Sequence, residues 1–167
     1  MRIKNIKYGM KIPTSITEAY DIDKENCNTV WRDAIKREME NVSVAFEVLE
    51  DGKKTSAAHK QVSFHMIYDI KMDFTRKARL VAEGCRTPKP VTSTYAGVVS
   101  REIVRIAFKY AVLNGLDVWA AYVQNAFLQA PCSKNHYKVC GPDFGSEFIG
   151  KLAVIVRADY GLKSAGC

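Results

Sequence analysis

The chain has no Asp-Asp pair, no Cys-x-x-Cys pair, no Gly-x-Gly loop and no long apolar run. Each absence removes a class of chemistry. Without Gly-x-Gly there is no glycine-rich phosphate cradle. The five cysteines, Cys27, Cys85, Cys132, Cys140 and Cys167, are odd in number and unpaired in spacing, which argues for free thiols in a reducing compartment. Cys132, His136 and Cys140 fall four apart and would share one face of a helix. Pro131, Gly141 and Pro142 crowd that segment, however, and a fourth ligand is not evident, so no zinc site is expected. The three histidines, His59, His65 and His136, sit in no recognisable Ser/His/Asp arrangement. No stretch approaches the roughly 20 apolar residues that span a bilayer. The basic N-terminus, Met1 to Met10, lacks the uninterrupted apolar core of a signal peptide, so the expectation is an intracellular chain, cytoplasmic or nuclear.

What is present suits one ordinary core: 167 residues, 47% of them hydrophobic. Lys and Arg outnumber Asp and Glu by 25 to 18, a formal charge of +7, which favours contact with a polyanion such as RNA or DNA.

Along the chain, residues 1–27 show no clear periodicity and read as a tail or linker before a domain at 28–167. Asn28 or Thr29 starts a helix to about Val42, with Trp31, Ala34, Ile35, Met39 and Val42 on one stripe. Val44 to Leu49 is a strand candidate, and Asp51-Gly52 a turn. From Val62 to Phe74 the even positions are apolar or aromatic, which predicts a long strand with one buried face; a second strand follows over Lys77 to Ala82. Ser100 caps a helix through Asn114, with Ile103, Val104, Ala107, Phe108 and Ala111 on its apolar stripe and Gly115 at its stop. Leu116 to Val123 and Leu152 to Val156 complete the strands, the latter reading as buried on both sides. The class is α+β.

Four blocks carry a resemblance. They are Trp31-Arg-Asp-Ala-Ile-Lys-Arg-Glu-Met39, Lys77-Ala-Arg-Leu-Val-Ala-Glu-Gly84, Tyr122-Val-Gln-Asn-Ala-Phe-Leu128 and Ala158-Asp-Tyr-Gly-Leu-Lys-Ser-Ala165. In order and spacing they resemble the reverse transcriptases of copia-type (Ty/copia) retrotransposons. The resemblance implies part of a right-hand polymerase: the fingers and the first part of the palm, an antiparallel sheet with packed helices. In that family a second metal-binding block, Tyr-x-Asp-Asp, lies further downstream. The expectation is therefore a partial domain, lacking that block and the thumb.

The family pattern also implies site residues. Lys77 and Arg79 would reach a nucleotide triphosphate from the fingers hairpin, Arg through a bidentate fork and Lys as a point charge. Phe127 would lie under the nucleotide sugar, and Tyr160, Gly161 and Lys163 would line the pocket near template base and triphosphate. Tyr122 stands where the family has a magnesium-binding aspartate. A phenol is neutral near pH 7 and a poor ligand for a hard cation. Tyr122 is therefore expected to pack on a half-buried sheet without catalytic function. Asp117 does not replace the lost acid: on an extended strand it lies about 16 Å away and on the opposite face. Asp21, Asp23, Asp69 and Asp73 fall outside the palm blocks, and Asp159, where the family usually has Leu, would be a costly carboxylate to bury unpaired.

Magnesium belongs to the intact family, and no cofactor is expected for this chain. The combined reading is an inactive relative of an RNA-directed DNA polymerase. The alternatives are a residual basic module that binds nucleic acid, or a genomic remnant without a role.

Overall fold

Helix formation begins in the segment expected to be a tail. The computed structural model describes residues 5–84, 97–132, 135–158 and 160–162. A two-residue ribbon, β1 (Ile6–Lys7) with β2 (Met10–Lys11), precedes helix α1 (Ile16–Glu25). The Ser15 hydroxyl accepts the Glu18 N–H, and the Glu18 carboxylate turns back to the N–H and hydroxyl of Thr14, a reciprocal capping arrangement. Ala19 and Ile22 are buried in one cluster with Trp31, Ala34 and Ile35 of helix α2 (Val30–Val42), and Met10, Ile12 and Ile16 pack against it, so the segment expected to be a tail or linker contributes side chains to the core. The apolar stripe there is short, two buried positions one turn apart, and gives little periodicity to read.

Helix α2 follows its expected stripe: Trp31, Ala34, Ile35 and Val42 are buried. Its N-terminal cap comes from elsewhere. The buried Asp23 carboxylate accepts the N–H groups of Trp31 (3.1 Å) and Arg32 (2.8 Å), while the Thr29 hydroxyl bonds Asp33 instead. A carboxylate at a helix N-terminus satisfies orphan donors and meets the positive end of the dipole.

A short 3₁₀ turn, Ser43–Ala45, leads into β3 (Phe46–Val48). After β4 (Lys60–Gln61) comes the hairpin of β5 (Phe64–Ile70) and β6 (Arg76–Ala82), paired from Phe64 with Ala82 to Ile70 with Arg76. The expected long strand stops four residues early. Phe74 takes a φ of 62°, and Met72 and Phe74 stand exposed in the turn, where the period of two no longer meets a core.

The inward positions of β6 organise the interior. Ala78 joins Ala19, Ile22, Trp31, Ala34, Ile35, Tyr68 and Ile70. Leu80 joins Val42, Ala45 and Leu128. Ala82 joins Val62, Ile155 and Leu162. One strand thus seeds three apolar clusters, and burying each large aliphatic or aromatic side chain contributes about 1.5–3 kcal/mol before entropy is charged against it.

Strand β7 (His136–Val139) and strand β8 (Leu152–Ile155) build a second sheet in the order β3-β8-β7-β4, with β7 and β4 parallel and the other pairs antiparallel. His136 therefore stands on a strand that runs to Val139, and not on a helical face shared with Cys140. Lys138, buried on β7, pairs with Asp143 and lies over the rings of Phe64 and Phe144.

Helix α3 (Arg101–Leu113) has the expected ends: the Ser100 hydroxyl accepts the Ile103 N–H, and Gly115 takes a φ of 63°. Its expected apolar stripe does not pack. Ile103, Val104 and Phe108 are exposed, and only Ala111 is buried. Residues 116–123 form no strand either, which corrects the expectation for Leu116 to Val123. Backbone donors and acceptors in an extended segment need a paired neighbour, and apolar content alone does not provide one. Helix α4 (Ala126–Gln129) then returns the chain to the core through Leu128. The architecture is α+β. Among the described residues no helix is long and apolar enough to cross a membrane.

Candidate functional site

Strand β6 has one edge paired with β5 and one edge free for other partners. Three of the conspicuous sequence blocks meet at that outer edge. In an antiparallel pair, alternate residues turn their N–H groups away from the partner strand. On β6 these include Leu80 and Ala82. The Leu80 N–H donates to Oε1 of Glu38 on α2 (3.0 Å), and the Ala82 N–H donates to the Tyr160 carbonyl (2.8 Å).

Glu38 is half-buried at this edge. Burial pushes its carboxyl up from the ordinary range, opposed by the Leu80 N–H and by the charges of Arg79 and Lys77. It belongs to the Trp31–Met39 block. Helical spacing put it off the apolar stripe, and nothing in the chain order joins residue 38 to residue 80.

Arg79 projects from the exposed face of β6, and its guanidinium lies 5.0 Å from the centre of the Tyr160 ring. That distance is within the range of a cation–π contact. Gly161, at a φ of 89°, turns the chain so that Leu162 enters the cluster with Ala82, Val62 and Ile155. Arg79, Tyr160 and Gly161 are therefore brought together, with Lys77 two residues along the same strand, half-buried beside α2.

The remaining positions behave differently. Lys163 and Asp159 lie outside the described residues, as do Cys85, Cys167 and the side chain of Phe127. Tyr122 does not pack on a sheet: it is 89% exposed, in a stretch with no strand partner. The same stretch contains Asp117, which is also exposed, so its expected place on the opposite face of a strand does not apply. An exposed phenol and an isolated carboxylate are a poor donor set for magnesium, which wants clustered oxygen ligands of negative charge. Among the described residues Tyr122 and Asp117 do not fit that ion, and no step through it follows.

What the arrangement can do is hold negative charge. Arg79 offers a planar fork already oriented by an aromatic face, Lys77 a second cation, and neither forms an ion pair with a carboxylate among the described residues. No protein-family model, curated protein or solved structure matches this chain.

Proposed function

We propose that the chain is a catalytically silent relative of a copia-type reverse transcriptase, comprising the fingers and the first part of the palm. One observation carries the reading: blocks far apart in sequence, containing Glu38, Arg79 and Tyr160, converge on the outer edge of β6. A scaffold that positions a nucleotide would need those blocks adjacent. The substrate class of the ancestral activity is a nucleotide triphosphate on a nucleic-acid primer and template, and the reaction is RNA-directed DNA synthesis. Silence follows from Tyr122, whose neutral ring stands in place of a metal-binding carboxylate. Primer extension on a homopolymer template with magnesium tests it: no incorporation is expected, and measurable magnesium-dependent incorporation would overturn the silent assignment.

A second reading, retained nucleic-acid binding, is favoured by the exposed Arg79 on a ribbon of a chain with formal charge +7. Filter binding across a salt series tests it, since phosphate contacts release counterions and affinity should fall as salt rises. No retention at low salt removes this reading.

A further inference from the structure

Between α2 and the turn of the β5–β6 hairpin lies a groove of about 140 Å³, continuous in its lining with a neighbouring one of about 210 Å³ through Ala34, Arg37, Thr75 and Arg76. Four cations reach it: Arg37 from the helix, and Lys71, Arg76 and Lys77 from the hairpin. None of the four has a carboxylate within ion-pair distance among the described residues. Two acids share the walls, Glu38 and, in the neighbouring groove, Asp33. Both are engaged, Glu38 by the Leu80 N–H and Asp33 by the Thr29 hydroxyl.

Arg76 is the most constrained of the cations. It is half-buried, with one terminal nitrogen on the Phe74 carbonyl (2.5 Å), the other against the Met10 sulfur (2.9 Å) and its guanidinium carbon 6.0 Å from the Trp31 ring. Its Nε is buried without a hydrogen-bond partner among the described residues. An unmet buried donor on a cation is costly unless an acceptor completes it, and the four positive groups lining one groove favour an anion there, although Asp69 beside Lys77 and Asp73 beside Lys71 temper the field. The backbone adds to this. The alternation that turns the Leu80 and Ala82 N–H groups outward also turns the Ala78 N–H outward, and Ala78 lines the groove.

We propose that this groove is a phosphate-binding site that takes the dianion of a phosphate monoester or of inorganic phosphate, held by Arg37, Lys71, Arg76 and Lys77. A diester, with one charge, matches four unpaired cations less well than a dianion does. The inference shares Lys77 with the polymerase reading but is separable from it, because the groove lies on the α2 side of the hairpin, does not use Arg79 or Tyr160, and is tested at Arg37 and Lys71.

The test is a titration of the whole chain with inorganic phosphate and with adenosine 5′-monophosphate, read by amide shifts of Thr75, Lys77 and Ala78. Both ligands are expected to move these amides. Tighter binding of the nucleotide would identify a monoester as the ligand, and equal binding free phosphate; either outcome supports the site. Arg37→Glu is expected to weaken binding by about tenfold or more, the worth of one charge-assisted hydrogen bond. Lys36→Glu, the same charge change on α2 outside the groove, should leave affinity as it was. Should Arg37→Glu fail to fold, Lys71→Glu tests the same groove from the hairpin side and is expected to weaken binding likewise. Unmoved amides, equal weakening by Lys36→Glu and Arg37→Glu, or binding only by an oligonucleotide without a terminal phosphate would each overturn the proposal.

Discussion

Gly84 and Gly161 meet backbone to backbone. A Cβ built on Gly84 would lie 1.8 Å from the Gly161 carbonyl oxygen, and one built on Gly161 would lie 2.2 Å from that of Ala82. The contact closes the turn at 160–162 onto the end of β6. Gly84→Ala is expected to displace that turn, breaking the bond from the Ala82 N–H to the Tyr160 carbonyl and loosening Leu162. A loss of about 1–3 kcal/mol follows from overpacking of this kind, measurable by urea denaturation. A Gly84→Ala midpoint equal to wild type would show that the backbones do not touch.

Glu38 serves the Leu80 N–H, a donor on a strand edge. Glu38→Ala leaves that donor unmet and should cost about 1–3 kcal/mol. Glu38→Gln keeps an acceptor without the buried charge. Because burial raises this carboxyl, the folded state favours its protonated form, and its ionisation becomes a stability cost as pH rises through the raised pKa. Glu38→Gln is thus expected to match or exceed wild type at pH 7. Equal destabilisation by both substitutions would contradict this account.

Glu18 behaves in the opposite sense. The Lys11 ammonium (2.7 Å) and the Thr14 hydroxyl and N–H hold its carboxyl down to about 2, against an ordinary value of 4.5. Its contribution is complete above about 4.5 and disappears as pH falls toward 2. Solvent screens the pair, so the effect is modest, at most about 1 kcal/mol. Thermal melts between pH 2 and pH 5 should fall more steeply for wild type than for Glu18→Gln. Parallel curves would exclude the linkage.

Tyr68 packs edge-on against Trp31, with 5.7 Å between ring centres, yet its buried hydroxyl has no hydrogen-bond partner among the described residues. Burial pushes this phenol further up from its ordinary range. Tyr68→Phe removes the unmet group and keeps the ring contact. The expected result is a stability equal to or above wild type, by up to about 1–3 kcal/mol of recovered desolvation, read as an equal or higher melting temperature. A clear drop would mean that the hydroxyl is satisfied in solution.

On α3 and the stretch after it, Ile106, Val112, Leu113, Trp119 and Tyr122 are each more than 60% exposed. A surface this apolar is expected to bind a hydrophobic dye and to promote self-association as concentration rises. Leu113→Lys with Val112→Glu should reduce both, by dye fluorescence and light scattering. If the double variant associates as strongly as wild type, another surface is responsible.

The hairpin, α2, α3 and β8 were legible because their signals are local. A period of two ends at the first residue forced to positive φ, a period near 3.6 starts at Ser100 and stops at Gly115, and a short apolar run fills one central strand. The site was legible only in part. Arg79, Tyr160 and Gly161 were named from block patterns, whereas Glu38 and Gly84 draw their roles from neighbours 42 and 77 positions away in number.

Taken alone, the order of residues determined where helices and strands can start and stop, the basic balance of the chain, and the neutral side chain at position 122. Only the tertiary structure decided that Asp23 caps a helix it does not belong to, that Ala19 and Ile22 enter the core, and that residues 116–123 form no strand. The physical reason is the range of the interactions. Caps, turns and periodicity act over a few residues, but strand pairing and the close contact of two backbones exist only once distant segments have met.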